Sequence, residues 1–222
     1  MDGVLYIVWG SDIDKFLRRS IDSLKAQHPD LPVHVERIAD GSTFLDRTNA
    51  YDISPFDGVT LMLDSDTVVM SKLDFGFEVA RKHHLALCIN ECPWASRYPA
   101  LRNTEIIEYN CGVVFFNRSE TAKDVFTRWH ANRDIDSRVL YRKDDQVQEC
   151  AVNDQAPMAK AIWDAGISPF VLPHNWNFRP RFHTSWYGQL KIWHEYLNPP
   201  PNLFNVSKHQ GPDQALLEHF KL

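Results

Sequence analysis

Short apolar runs alternate with segments whose apolar residues recur at helical spacing along most of this chain. Val4-Leu5-Tyr6-Ile7-Val8 is continuously apolar and reads as a strand buried on both faces, because a half-exposed strand would alternate. Ser11 and Asp14 after it have the spacing of a helix-capping box. Ile13, Phe16, Leu17, Ile21 and Leu24 then form one helical stripe. Pro32 to Glu36 alternates as a short strand, and Val59 to Leu63 is a second continuous run. Leu85 to Ile89 and Val113 to Phe116 read as further strands. Ala122, Val125, Phe126 and Trp129 mark one helix. Another runs from about Asp154 to Ala165, with Met158, Ala161, Ile162 and Ala165 in register and Gly166 as its stop. The alternation predicts an α/β architecture with a central, mostly parallel sheet flanked by helices, in a single domain over residues 1–222. Ligands of such sheets bind beyond the carboxyl ends of the strands.

The 222 residues suffice for a sizeable core, and 44% hydrophobic with 24% charged residues is ordinary globular composition. A net charge of −5 and a pI near 6.0 argue against a nucleic-acid partner. They do not exclude an anionic nucleotide held by a metal ion or by a few local cations. The apolar start is too short to span a membrane, lacks the marks of a signal peptide, and no other segment reaches about 18 apolar residues. The expectation is a soluble cytoplasmic protein, at most peripheral to a membrane. Cys88, Cys92, Cys111 and Cys150 fit neither a zinc knuckle nor a disulfide scaffold and read as reduced thiols. The sequons at Asn117 and Asn205 matter only in a secreted protein.

The candidate chemistry begins at Asp64 and Asp66, directly after the run Val59 to Leu63. If the chain stays extended there, residues i and i+2 face the same way and the two carboxylates converge. Their repulsion would be relieved by a divalent ion, and oxygen ligands suit magnesium or manganese. A polar turn capped by either aspartate is the competing reading of an isolated Asp-x-Asp.

Ser54-Pro55-Phe56-Asp57 through Leu61-Met62-Leu63-Asp64-Ser65-Asp66-Thr67 resembles the Asp-x-Asp segment of the GT-A nucleotide-diphospho-sugar glycosyltransferases, the glycogenin- and galactosyltransferase-like enzymes. Four further stretches resemble that family in its own order: Tyr109 to Asn117 with its Asn-x-Gly, Asn153-Asp154-Gln155, Leu172-Pro173-His174-Asn175-Trp176-Asn177, and Lys191-Ile192-Trp193-His194. Together they cover residues 4 to 196.

The resemblance implies a Rossmann-like GT-A fold and a metal-dependent transfer of a sugar from a nucleotide-diphosphate donor to an acceptor hydroxyl. It implies Mn2+ or Mg2+ at Asp64, Asp66 and His194, with His209 as a competing third ligand. Val8, Trp9, Gly10, Arg47, Ser65, Asn110, Gly112 and Gln155 would meet the donor. A UDP-sugar is favoured over a GDP-sugar, and the acceptor would be a carbohydrate or glycoconjugate. Asp154 would be the catalytic acid outside the metal site, as a base or as a sugar-positioning group, unless it only caps its helix. Trp9 is read equally as core, and Arg47 alternatively as a surface side chain. The family's His-x-x-Gly-x-x-Lys pattern is missing, so the cation for the diphosphate stays open among Arg179, Arg181, Lys191 and Lys208. Three rival classes remain: a nucleotidyltransferase, which the poor Gly10-Ser11-Asp12 loop argues against; a metallohydrolase, which lacks a His-Glu-x-x-His pair; and a sugar-binding module using Trp176, Trp186 and Trp193.

Overall fold

The computed structural model describes residues 1–90, 105–137, 139–143, 146–150, 153–183, 186, 188–201 and 203. Their elements are β1 (Gly3–Val8), α1 (Asp14–Gln27), β2 (Val33–Arg37), a 3-10 turn (Phe44–Asn49), α2 (Ala50–Ile53), β3 (Thr60–Leu63), β4 (Thr67–Val69) and α3 (Asp74–His83). There follow β5 (Leu85–Ile89), β6 (Tyr109–Phe116), α4 (Glu120–Ala131), β7 (Val139–Lys143), β8 (Gln146–Cys150), α5 (Gln155–Asp164), β9 (Phe170–Leu172) and β10 (Ile192–His194). Six strands form the central sheet in the order β2-β1-β3-β6-β5-β9. β6 alone runs against the others, so the sheet is mostly parallel as expected.

Alternation along each strand divides the core in two. Val4, Tyr6, Val8, Leu61, Leu63, Val113 and Phe115 face α1 and α3. Leu5, Ile7, Met62, Val114 and Phe116 face α2, α4 and α5. Both faces are covered, which is why the strands read as unbroken apolar runs. Burying Phe115 and Phe116 completely stabilises the fold by about 1.5–3 kcal/mol each.

A smaller ribbon pairs β4 with β10 in antiparallel register, over a third apolar cluster that includes Phe178, Trp186 and Trp193. Trp176 is buried in the main core. The three tryptophans are therefore packing residues, which weakens the sugar-binding-module reading.

One local expectation changes. Ser11 does not cap α1: the cap position is Ile13, and Ser11 contributes only a carbonyl, 3.4 Å from the N–H of Asp14. A capping box forms instead at Thr43 and Asp46, before the 3-10 turn that carries Arg47. The Asn117 amide donates to the carbonyls of Ala80 and Arg81, so its sequon is used by the fold. Cys92, Asn205, Lys208 and His209 lie outside the described residues, and among these no helix is long and apolar enough to cross a membrane.

A buried chain of hydroxyls ties α1 to the sheet and to the turn after β3. Thr67 Oγ1 donates to the carbonyl of Asp64 at 2.7 Å. It then has lone pairs only for Ser20 Oγ, 2.8 Å away, so Ser20 donates to it and accepts from Tyr6 OH at 2.9 Å. Tyr6, Ser20 and Thr67 are all fully buried. Ser20→Ala strands the Tyr6 hydroxyl, and urea unfolding should show a loss of about 1–3 kcal/mol. An unchanged midpoint would mean that the chain contributes nothing.

Candidate metal centre and adjoining cleft

The β3–β4 connection builds the acidic end of the site. Asp64 leaves β3 with its N–H bonded to the Gly112 carbonyl of β6 at 2.9 Å. Asp64-Ser65-Asp66 is not extended: residues 65 and 66 form a turn, closed by the Thr67 hydroxyl. The turn, rather than strand alternation, brings the two carboxylates together. β10 then sets His194 opposite Thr67, and the N–H of Glu195 donates to the Asp66 carbonyl at 3.0 Å. His194 Nε2 ends 3.2 Å from Asp66 Oδ1 and 3.6 Å from Asp64 Oδ2.

Among the described residues, Asp64, Asp66 and His194 form a group whose ligand atoms lie within 4.8 Å of one another and could hold a metal ion. Adjacent ligands of a small octahedral dication, bonded at about 2.0–2.1 Å, lie about 3 Å apart, so these three fit with little movement. Two oxygens and an imidazole nitrogen suit manganese better than magnesium. Burial presses the His194 pKa down, but Asp66 and then Asp64 outweigh it and hold it above the ordinary histidine range. Burial likewise presses Asp66 upward, and His194 more than reverses this, leaving it below the ordinary carboxylate range. The carboxylates thus attract positive charge to the point between them.

Gly112 sits against this group. A Cβ there would lie 2.3 Å from His194 Cε1 and 2.7 Å from Asp64 Oδ2, so any side chain would displace one of these two groups. Its glycine character makes room for His194 and Asp64, a closer cause than the approach of a sugar.

A cleft of about 520 Å³ opens beside these three side chains, and Val8, Trp9, Arg47, Ser65, Asn110, Gly112, Asp154 and Gln155 all line it. Gly10 does not; at φ +74° it makes the turn out of β1. Trp9 is half-buried and meets Phe44 edge-on, with centroids 5.5 Å apart. Arg47 is not a surface side chain. It is 5% exposed and lies between two acids, donating from Nε to Asp154 Oδ2 at 2.5 Å and from Nη1 to Asp64 Oδ1. Burial would lower the Arg47 pKa, yet Asp154 and Asp64 together raise it. Burial raises the Asp154 carboxyl, with Arg47 pulling the other way. Asp154 makes no side-chain helix cap, and Asn153 Oδ1 instead accepts from the N–H of Gln155 at 2.8 Å.

Among the possible cations, Lys191 points away and donates to the Lys72 carbonyl, while Arg179 and Arg181 line the cleft. Arg181 Nε donates to Glu195 Oε2 at 2.7 Å, and Arg179 Nη2 to Asn90 Oδ1 at 2.9 Å. Phe44, Phe182, Glu195 and Tyr196 also line the cleft and carried no sequence signal of their own, whereas Asn153, also on the wall, stood in the Asn153-Asp154-Gln155 stretch. Glu195 and Tyr196 could have been found as the residues that continue past His194. Arg19 of α1 straps them down, donating to the carbonyls of Asp66, Glu195 and Tyr196 at 3.1, 2.6 and 2.7 Å.

No protein-family model matches this sequence, nor does any curated protein. Solved structures do match. The galactosyltransferase LgtC, solved with donor and acceptor sugar analogs, superposes with a TM-score of 0.58 over 100% of this chain and 97% of its own, at 13% identity. Mouse xyloside xylosyltransferase 1 gives 0.58 over 90% and 99%, at 12% identity. The glycosyltransferase GlyE of Streptococcus pneumoniae gives 0.56 at 13% identity. This chain is 99% covered in that match and spans 60% of GlyE. The chain has the GT-A fold. Within that fold the acidic turn, His194 and the Arg47–Asp154 pair gather beyond the carboxyl ends of β1 and β3, where an α/β sheet presents its ligand site.

Arg47→Met would leave Asp64 and Asp154 largely buried without their cation. The metal-free protein should lose about 3–5 kcal/mol on denaturation, and added manganese should restore part of it. Equal stability of the variant and wild type would contradict this account of the pair.

Proposed function

We propose that this protein is a metal-dependent glycosyltransferase that moves a sugar from a nucleotide-diphosphate donor to an acceptor hydroxyl. The observation that carries the reading is the convergence of Asp64, Asp66 and His194 at one end of a cleft in a GT-A fold. A nucleotide sugar suits the cleft's size, which falls in the range of small-molecule sites. LgtC, solved with donor and acceptor sugar analogs, supports the same two-substrate reading.

The reaction exchanges the bond from the anomeric carbon to the diphosphate for one to the acceptor oxygen, whose proton is released. Negative charge grows on the departing diphosphate while the sugar becomes cation-like. A divalent ion held by Asp64, Asp66 and His194, manganese or magnesium, would supply Lewis-acid stabilisation of that leaving group. The protein's own groups do the rest. Trp9 and Phe44 offer flat surfaces to the base. Arg47, fixed at Nε and Nη1, presents its remaining edge to the donor. Asp154 faces the sugar as an anion. With one oxygen engaged by Arg47, it is better placed to stabilise positive charge than to carry away a proton. Arg181, on the cleft wall, takes the place of the diphosphate lysine that the sequence lacks. The donor favoured is a UDP-sugar, the acceptor a carbohydrate or glycoconjugate, and the compartment the cytoplasm, which suits the buried thiol of Cys111.

A panel of nucleotide sugars assayed for donor hydrolysis with manganese tests the proposal. One donor should turn over, chelation should stop it, and Asp66→Ala should lower kcat by about 100-fold or more, equivalent to about 3 kcal/mol. Wild-type, metal-dependent turnover by Asp66→Ala would overturn it.

A further inference from the structure

Behind the imidazole of His194 lies a run of polar groups that the reaction does not itself use. His194 Nδ1 is 2.7 Å from Asn177 Oδ1. Asn177 Nδ2 donates to Asn110 Oδ1, also at 2.7 Å, and the backbone N–H of Gly112 donates to that same oxygen at 3.0 Å. Asn177 is 1% exposed and Asn110 6%, so water does not compete for these bonds.

The far end of the run has only one possible polarity. A backbone N–H can only donate, so the Asn110 atom that faces Gly112 is the carbonyl oxygen. That oxygen requires the NH2 of Asn177 on its other side, which turns the Asn177 oxygen toward His194. An amide oxygen can only accept, so Nδ1 of His194 carries a proton. A neutral imidazole has one proton to place, and Nε2 is left with its lone pair directed at Asp64 and Asp66. The orientation is held by backbone as well. The N–H of Phe178 donates to the Ile192 carbonyl at 2.9 Å, and that of His194 to the Phe178 carbonyl at 2.8 Å. Asn177 therefore cannot drift along β10.

We infer that Asn177 and Asn110 are positioning residues that hold His194 in its Nδ1–H tautomer and so prepare Nε2 as a metal ligand. A free imidazole prefers the opposite tautomer, in which the proton would occupy the ligating nitrogen. Partners behind a ligating histidine commonly set metal affinity by about 10–100-fold, and here the partner is a neutral amide rather than a carboxylate. A carboxylate in its place would add a further negative charge to a site that already holds Asp64, Asp66 and Asp154. The inference rests on the metal site proposed above.

Two readouts test it. Nitrogen-15 imidazole spectra of the metal-free wild type, recorded where the ring is neutral and assigned against His194→Gln, should show the Nδ1–H pattern for His194. The Nε2–H pattern would overturn the inference, whatever the variants do. Titration with manganese alone should show Asn177→Leu binding about 10–100-fold more weakly than wild type. Asn177→Asp, which keeps an acceptor for Nδ1–H, should bind closer to wild type. If manganese binding depends on Asp66 but Asn177→Leu binds equally well, the inference fails and the metal site stands. If Asp66→Ala binds manganese as wild type does, the metal site itself fails, and the wild-type spectrum still decides the tautomer.

Discussion

Gathering carboxylates at one end of a sheet costs free energy unless each meets positive charge, and the site answers that constraint at every point. Asp64 and Asp154 share the guanidinium of Arg47. Asp66 has the imidazole of His194 beside it, whose charged form Asp66 and Asp64 favour, and, on its backbone carbonyl, the guanidinium of Arg19. Glu195 pairs with Arg181. The space between Asp64, Asp66 and His194 is where a dication would complete the balance. A nucleotide diphosphate could then approach an acidic protein without meeting uncompensated negative charge, which would let a chain of net charge −5 bind the proposed anionic donor.

Rigid elements hold each member of this arrangement. The hydroxyls of Tyr6, Ser20 and Thr67 pass from β1 through α1 to the turn that carries Asp64 and Asp66. Asn110 and Asn177 pass from β6 to the ribbon that carries His194. Asp64 and Asp66 lie where the central sheet passes into the ribbon that carries His194, and these two buried runs fix the turn and the ribbon to the central sheet. The sheet end provides the place, and the polar runs provide the precision that charge stabilisation demands.

Much of the fold was legible because strands covered on both faces leave unbroken apolar runs, as at Val4 to Val8 and Leu85 to Ile89. The acidic turn and His194 were legible as residue types in family order. What escaped was whatever depends on long-range geometry. Arg47 finds Asp154 across 107 positions, so no local pattern could show that it is buried. Strand alternation gave the wrong reason for the approach of Asp64 to Asp66, because three-residue β4 follows a turn that periodicity does not register. Gly112 was legible as a glycine the site requires, but the side chains that forbid a Cβ come from β10 and the turn. The helix start was misplaced at Ser11 because spacing alone does not fix backbone angles at a cap. Asn177 stood within a recognised stretch, yet only coordinates reveal which atom faces which.

The account's central claim is that Asp64, Asp66 and His194 join a divalent ion to the diphosphate of a nucleotide. Calorimetric titration of the wild-type protein with uridine diphosphate, with manganese and then with a chelator, tests it most directly. The account predicts binding that requires manganese and that is lost in Asp64→Asn/Asp66→Asn. Equal binding in the chelator, or no binding of any nucleoside diphosphate with manganese present, would contradict it.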